Sequence, residues 1–204
     1  MQKPIITDKE RDALAEIANI GAGHATVALY QMTRRVLKLE VTTAELLPLA
    51  EVPARLGNAE DPVLGIYFKI FGQSRASLLV AFPQPASQAL LSELAREPQV
   101  GLELSEMQRS AALEVGNILA SAYLSAISNF LGLSFLPSIP DLAYDMAGSV
   151  CDLLVSERAG GSDEALTIFT SFSDAEGTLR GYYLLLPDVP SLNAIFSKIK
   201  LKSQ

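Results

Sequence analysis

Two stretches of the chain carry the same polar device 98 residues apart, and that repeat limits the fold more than any other feature. Thr7-Asp-Lys-Glu10 and Ser105-Glu-Met-Gln108 both read as capping boxes. In each, a hydroxyl accepts from a backbone N–H three residues on, and the Glu or Gln there reaches back to the cap. Each box opens a long apolar-periodic segment. At the same offset Glu16 maps onto Glu114 and Asn19 onto Asn117, within "EIANIGAGHA" and "EVGNILASAY". One offset shared by a helix start and an internal polar pair points to a duplicated unit.

The rest of each half follows the same plan. "LLVAFPQPASQALLSEL" (78–94) parallels "YYLLLPDVPSLNAIFSKI" (182–199): a buried strand, a Pro-containing turn and an amphipathic helix. Strand-like runs lie between, at 36–47 and 63–71 in the first half and at 133–139, 149–157 and 165–172 in the second. The stretches "RLGNAEDP" (55–62) and "RAGGSDE" (158–164) carry turn chemistry. Each half therefore reads helix, strand, strand, strand, helix. A lone half leaves a sheet face uncovered, so two halves are expected to join one sheet and share a core. The expected fold is a single α+β domain with pseudo-two-fold symmetry, its long helices packed on a shared β-sheet, with repeats at about 7–98 and 105–204.

Composition narrows the chemistry. A net charge of -7 disfavours nucleic acid, whose phosphates need clustered Lys and Arg, and favours a basic protein surface as partner. The stretch 115–140 has no charged residue, but Asn117, Asn129, five serines and two prolines make it costly in hydrocarbon. It reads as a buried helix followed by a strand, with no membrane insertion. The N-terminus turns charged too early for a signal peptide. With one cysteine, Cys151, no internal disulfide is available, which suits a reducing cytoplasm. The lone histidine, His24, argues against a His metal site or a Ser-His-Asp triad. His24 reads as a helix-surface residue and Cys151 as a small buried hydrophobe. Gly21-Ala-Gly23 starts like a dinucleotide loop, but Thr26 occupies the third glycine position and the stretch lies within a helix.

Asp12, Glu16 and Asn19 stand at i, i+4 and i+7, as do Ser110, Glu114 and Asn117. On a helix each set forms a narrow polar line between apolar flanks. Either line alone is compatible with an ordinary solvated face. The repetition favours function, because surface positions drift freely. An Asn amide offers two donors and an acceptor and does not titrate, so it can orient a water for in-line attack on a phosphoryl group, a reaction that depends mainly on positioning. A Glu one turn earlier can pair with a cation on a partner. This chemistry suits a helper that inserts a side chain into a partner already holding phosphate and Mg²⁺.

These residues resemble the Asp/Ser-x3-Glu-x2-Asn-x22-Pro pattern of the CheC/CheX/FliY phosphatases of chemotaxis. Ser110, Glu114, Asn117 and Pro140 match it fully; Asp12, Glu16 and Asn19 match it up to Thr42, which stands where the Pro belongs. The resemblance covers nearly the whole chain and is nearest to CheC. It implies hydrolysis of the aspartyl phosphate of a response regulator, CheY. Asn117 and Asn19 direct the water, and Glu114 and Glu16 pair with a lysine of the regulator. Ser110 and Asp12 support them, and Pro140 shapes the turn that braces the helix. No cofactor is expected on this chain, the Mg²⁺ belonging to the regulator. The resemblance also implies the receptor deamidase CheD as a partner. "PSIPDLAYDMAGSV" (137–150) reads equally as a docking segment for it or as a plain strand-to-strand connection.

Three functions fit this reading: a water-directing phosphatase, a non-enzymatic binding module for the regulator or the deamidase, and a flagellar-switch component. The second site ranks above the first because of Thr42. A molecule with two sites can work as a cytoplasmic monomer.

Overall fold

The computed structural model describes residues 6–156 and 164–202. Helix α1 (Asp8–Thr33) and helix α3 (Glu106–Leu131) are 26 residues each and keep the 98-residue offset at both ends. Both capping boxes form. Thr7 Oγ1 accepts from Glu10 N at 3.3 Å while Glu10 Oε2 accepts from Thr7 N at 3.1 Å. Ser105 Oγ accepts from Gln108 N at 3.1 Å while Gln108 Oε1 accepts from Ser105 N at 3.0 Å. Each helix ends on a residue in the left-handed region, Arg34 (φ 59°) and Gly132 (φ 63°), and glycine suits that conformation better than arginine.

Among the described residues seven antiparallel strands form one sheet: β1 (Leu37–Pro48), β2 (Pro62–Gly72), β3 (Ala76–Pro83), β4 (Phe135–Pro137), β5 (Asp141–Met146), β6 (Glu164–Asp174) and β7 (Arg180–Pro187). Their order is β1-β6-β7-β3-β2-β4, with β5 also pairing β2. The halves are thus interleaved. Among the described residues β1 pairs only with β6, β4 and β5 pair only with β2, and β3 meets β7 at the centre.

Helices α1 and α3, with α2 (Gln84–Ala95) and α5 (Val189–Lys202), cover one face. Leu14, Leu29, Val115, Leu119 and Tyr123 pack there on Leu64, Ile66, Phe68, Val80, Phe82 and Phe172. Tyr123 stacks on Tyr183 of β7, with ring centroids 5.0 Å apart. Each buried Leu or Phe stabilises by about 1.5–3 kcal/mol, against about 1 kcal/mol for a cap. Capping therefore sets where the helices begin, and burial holds them in place. By length and composition alone α3 is apolar enough to cross a bilayer, but half of its most apolar window is buried inside the protein, and it is followed by a strand as the sequence suggested.

The structure corrects two expectations. Residues 149–157 were expected to form a strand; instead α4 (Ala147–Ser156) is a helix covering the second face of the sheet. Its buried residues Ala147, Val150, Cys151 and Leu154 lie at i, i+3, i+4 and i+7, the helical period, and pack against Val63, Tyr67, Leu79 and Leu184. The second half is therefore not a plain helix-strand-strand-strand-helix string. The strand expected at 133–139 is only β4, and its continuation β5 was not foreseen. Together β4 and β5 span the same offset from β1, but the ladder breaks between them. Pro140 has no N–H to donate, and Ser138 bridges the break: its N–H donates to Lys69 O at 2.7 Å and its hydroxyl accepts from Lys69 N at 3.0 Å. In "RLGNAEDP" Asp61 Oδ2 accepts from the backbone N–H of Asn58 at 2.8 Å, closing the expected turn. Residues 158–163 of "RAGGSDE" lie outside the described residues.

Gly116 brings α3 close to the sheet: a Cβ there would sit 2.4 Å from Ile66 Cγ2. Gly116→Ala is expected to cost about 1–3 kcal/mol through overpacking. Gly23, in α1, has nothing within 4 Å of such a Cβ. Gly23→Ala should add roughly 0.5–1 kcal/mol by helix propensity. Urea denaturation of both variants checks the opposite signs.

Candidate functional site

Both polar lines lie on the outer surfaces of their helices. On α1, Asp12 and Glu16 are exposed and Asn19 is half-buried. The inward positions Leu14, Ile17 and Ala18 are buried. On α3, Ser110, Glu114 and Asn117 are all exposed, while Ala112, Val115 and Gly116 are buried. In each case the apolar face is clamped in the core and the polar line points out of it. Their orientation is therefore set by helix packing, which is more rigid than a loop.

The two helices lie side by side on one face of the sheet and pack directly on each other, a Cβ at Gly21 of α1 meeting Tyr123 and Ile127 of α3. α1 packs against β1, at one edge, and α3 against β4 and β5, at the other. Five strand spacings lie between these edges, roughly 24 Å of sheet. Each helix has its own edge strand beside it, β1 for α1 and β4 and β5 for α3.

The lines differ in their partners. Among the described residues the side chains of Glu114, Asn117 and Glu16 make no hydrogen bond or ion pair. Asn19 does: Thr42 Oγ1 of β1 donates to its Oδ1 at 2.6 Å. The same hydroxyl lies 3.3 Å from Thr170 Oγ1 on β6. Thr42 thus occupies the Pro position of the pattern and touches the Asn directly. Sequence reading marked Thr42 as a departure but did not foresee this contact. Thr170 was missed altogether, since it is 128 residues from Thr42 and only the β1·β6 register brings the two together. In the second line the corresponding residue, Pro140, lies in the break between β4 and β5, half-buried.

Other candidates fall away from the site. His24 is exposed on α1. Cys151 is buried on the opposite face of the sheet, in α4. Among the described residues no three of His, Cys, Asp and Glu come together as a metal-binding group. Segment 137–150 is the end of β4, β5 and the start of α4, and not a plain connection between strands. Within it Tyr144 is half-buried, its hydroxyl 2.8 Å from Ser87 Oγ on α2, whereas Ile139 and Met146 are exposed.

The chain is 33% identical over 196 residues, 94% of its length and 94% of the relative's, to the CheY-P phosphatase CheC of Bacillus subtilis (strain 168). It belongs to the CheC-like family. The CheC-like family model matches residues 107–144, the stretch from α3 into β5 that holds Ser110, Glu114, Asn117 and Pro140. The fold of this CheC-like chain is similar to that of FliY from Thermotoga maritima, with a TM-score of 0.73 and 16% identity, covering 98% of this chain and 100% of that one. It is also similar to that of the chemotaxis protein CheX from Desulfovibrio desulfuricans, with a TM-score of 0.58 and 16% identity, covering 85% of this chain and 99% of that one. These likenesses agree with the mixed helix and antiparallel-sheet class read from the sequence.

Burial, with the nearby Asp152 charge, pushes the Cys151 thiol up to about 12. Alkylation needs the thiolate. At pH 8 the native protein is expected to react with iodoacetamide roughly 100-fold or more slowly than the urea-unfolded chain, whose thiol titrates near its ordinary value of about 8.5. Mass spectrometry of the modified fraction against time checks this.

Proposed function

We propose that the chain dephosphorylates the aspartyl phosphate of a CheY-like response regulator. The observation that carries the proposal is the state of the α3 line: Glu114 and Asn117 stand one turn apart, exposed and unengaged, on a helix whose other face is locked in the core. The identity to a CheY-P phosphatase over nearly the whole chain supports it. Glu114 pairs with a lysine beside the regulator's phosphorylation site and so fixes the approach of α3. Asn117 enters the site, and its carboxamide oxygen accepts a hydrogen bond from the attacking water, whose protons stay with the phosphate that forms. The water oxygen bonds to phosphorus opposite the acyl oxygen. The P–O bond to the aspartate breaks, and carboxylate and inorganic phosphate leave. The regulator supplies the Mg²⁺ that neutralises the phosphoryl oxygens. Ser110 supports Glu114 one turn away, and Pro140 sets the break between β4 and β5 beside the helix. Glu16 and Asn19, supported by Asp12, repeat the arrangement at the other edge.

The chain acts as one unit in this reading, with repeats at about 7–98 and 105–204. An overall charge of -7 favours the basic surroundings of a phosphate-holding site. The reducing cytoplasm suits a chain whose one cysteine is buried. The receptor deamidase CheD is the proposed second partner, with Ile139 and Met146 of segment 137–150 the exposed apolar side chains available to it. The alternative, a binding module or flagellar-switch component without turnover, draws on the FliY likeness, which at 16% identity concerns the fold alone.

The test is decay of a cognate regulator phosphorylated by a small-molecule donor. The chain is expected to accelerate it. Asn117→Ala should remove most of the acceleration and Asn19→Ala a smaller part. Loss of one water-positioning group costs about 10²–10³ in rate by analogy with oxyanion donors. An Asn19→Ala/Asn117→Ala variant that still binds and hydrolyses normally would refute the mechanism. Binding without acceleration by the unaltered chain would favour the module.

A further inference from the structure

We propose that Thr42 is a positioning residue that restrains the first site by holding the carboxamide oxygen of Asn19, so that this site turns over more slowly than its geometry otherwise allows. The inference rests on the phosphatase reading and concerns how its two sites are set apart.

The contact is well formed. At 2.6 Å it lies at the short end of the range for an O–H···O hydrogen bond. The donor is itself anchored. Thr42 pairs with Thr170 in the β1·β6 ladder, and Thr170 is fully buried with its Oγ1 3.3 Å away. A β-branched side chain in a strand has little freedom at χ1, so Thr42 cannot readily follow Asn19 outward. On the helix side, Ile17 and Ala18 are buried and hold the backbone of α1.

This contact changes what Asn19 presents. An amide is planar, with the oxygen on one side and the NH₂ on the other. With Oδ1 turned toward β1, the outward group is the NH₂, which donates. It can contact a phosphoryl oxygen or the lone pairs of a water. It cannot accept the water's hydrogen, the contact that aims the water's lone pair at phosphorus. Turning the oxygen outward breaks the bond to Thr42 at each turnover. Asn117 bears no such cost. Its side chain is exposed and has no partner among the described residues, and Pro140, at the equivalent position in the break between β4 and β5, has no hydroxyl to offer.

The test isolates the first site in the Asn117→Ala background. Steady-state dephosphorylation of the phosphorylated regulator is measured for Asn117→Ala, for Thr42→Val/Asn117→Ala and for Thr42→Ser/Asn117→Ala. Valine keeps the shape and suits a strand, so the fold is expected to persist. Releasing a hydrogen bond of ordinary net strength predicts a rise in kcat of about 2- to 12-fold with KM unchanged. Serine keeps the hydroxyl and should return the low rate. Asn19→Ala should abolish the gain. In parallel, ¹⁵N relaxation of the Asn19 side-chain amide should report a rigid group in the unaltered chain and a mobile one in Thr42→Val. Unchanged or lower kcat in the valine variant, or an Asn19 amide equally mobile in both proteins, would overturn the inference. If the unaltered chain shows no turnover at all, the phosphatase reading fails instead. The relaxation measurement then still decides whether Thr42 holds Asn19.

Discussion

The ladder between β3 and β7 joins the two halves, and the rest of the molecule is arranged around it. Leu79 faces Leu184 and Val80 faces Tyr183 across that seam. The first pair feeds the core under α4 and the second the core under α1 and α3. Because the two hairpins, β2–β3 and β6–β7, meet at their inner strands, their outer strands β2 and β6 are left to pair with something else. β2 takes β4 and β5, and β6 takes β1. Arg35, just past the end of α1, adds a polar tie, donating to Glu93 on α2 and to Asp174 on β6 at 3.1 Å each. The motif helices pack side by side over this one sheet, α1 with its outer flank on the β1 edge and α3 with its outer flank on β4 and β5.

That arrangement explains how two similar polar lines come to differ. Each lies beside the strand that follows its own helix. In the second half this strand is interrupted at Pro140. In the first half β1 runs on through Thr42, with only a register irregularity between Leu39 and Val41. A strand that continues keeps its side chains pointing alternately to the two faces, and Thr42 points to the face where Asn19 lies. One residue type therefore decides both whether the ladder is continuous and whether the nearby Asn has a partner.

Much of this was legible in the sequence, and the reasons are physical. The capping boxes are local devices, so Thr7 and Ser105 located both helix starts. The outward exposure of Glu16, Glu114 and Asn117 follows from helical spacing alone. α4 was misread because its apolar run is short, and a brief buried segment looks alike as strand or helix until its period is counted; Ala147, Val150, Cys151 and Leu154 held that information. β5 was hidden by Pro140, which ends one pairing without preventing another. The Thr42–Asn19 bond could be approached only as an oddity in a pattern. Thr170 gave no sign at all, since a contact across 128 residues depends on the register of strands from different halves.

The exchange of strands has a consequence for dissecting the protein. A chain severed near Gly101 would yield two pieces, each bearing one complete polar line. Neither would be an independent unit, because each terminal strand finds its hydrogen-bonding neighbour only on the other piece. Separated, the pieces would expose open edges that invite aggregation. Mixed, they would have a reason to reassemble, as each supplies the ladder the other lacks. What looks on paper like two enzymes in tandem is, in the folded molecule, a closed handshake that a cut in the chain could interrupt without undoing.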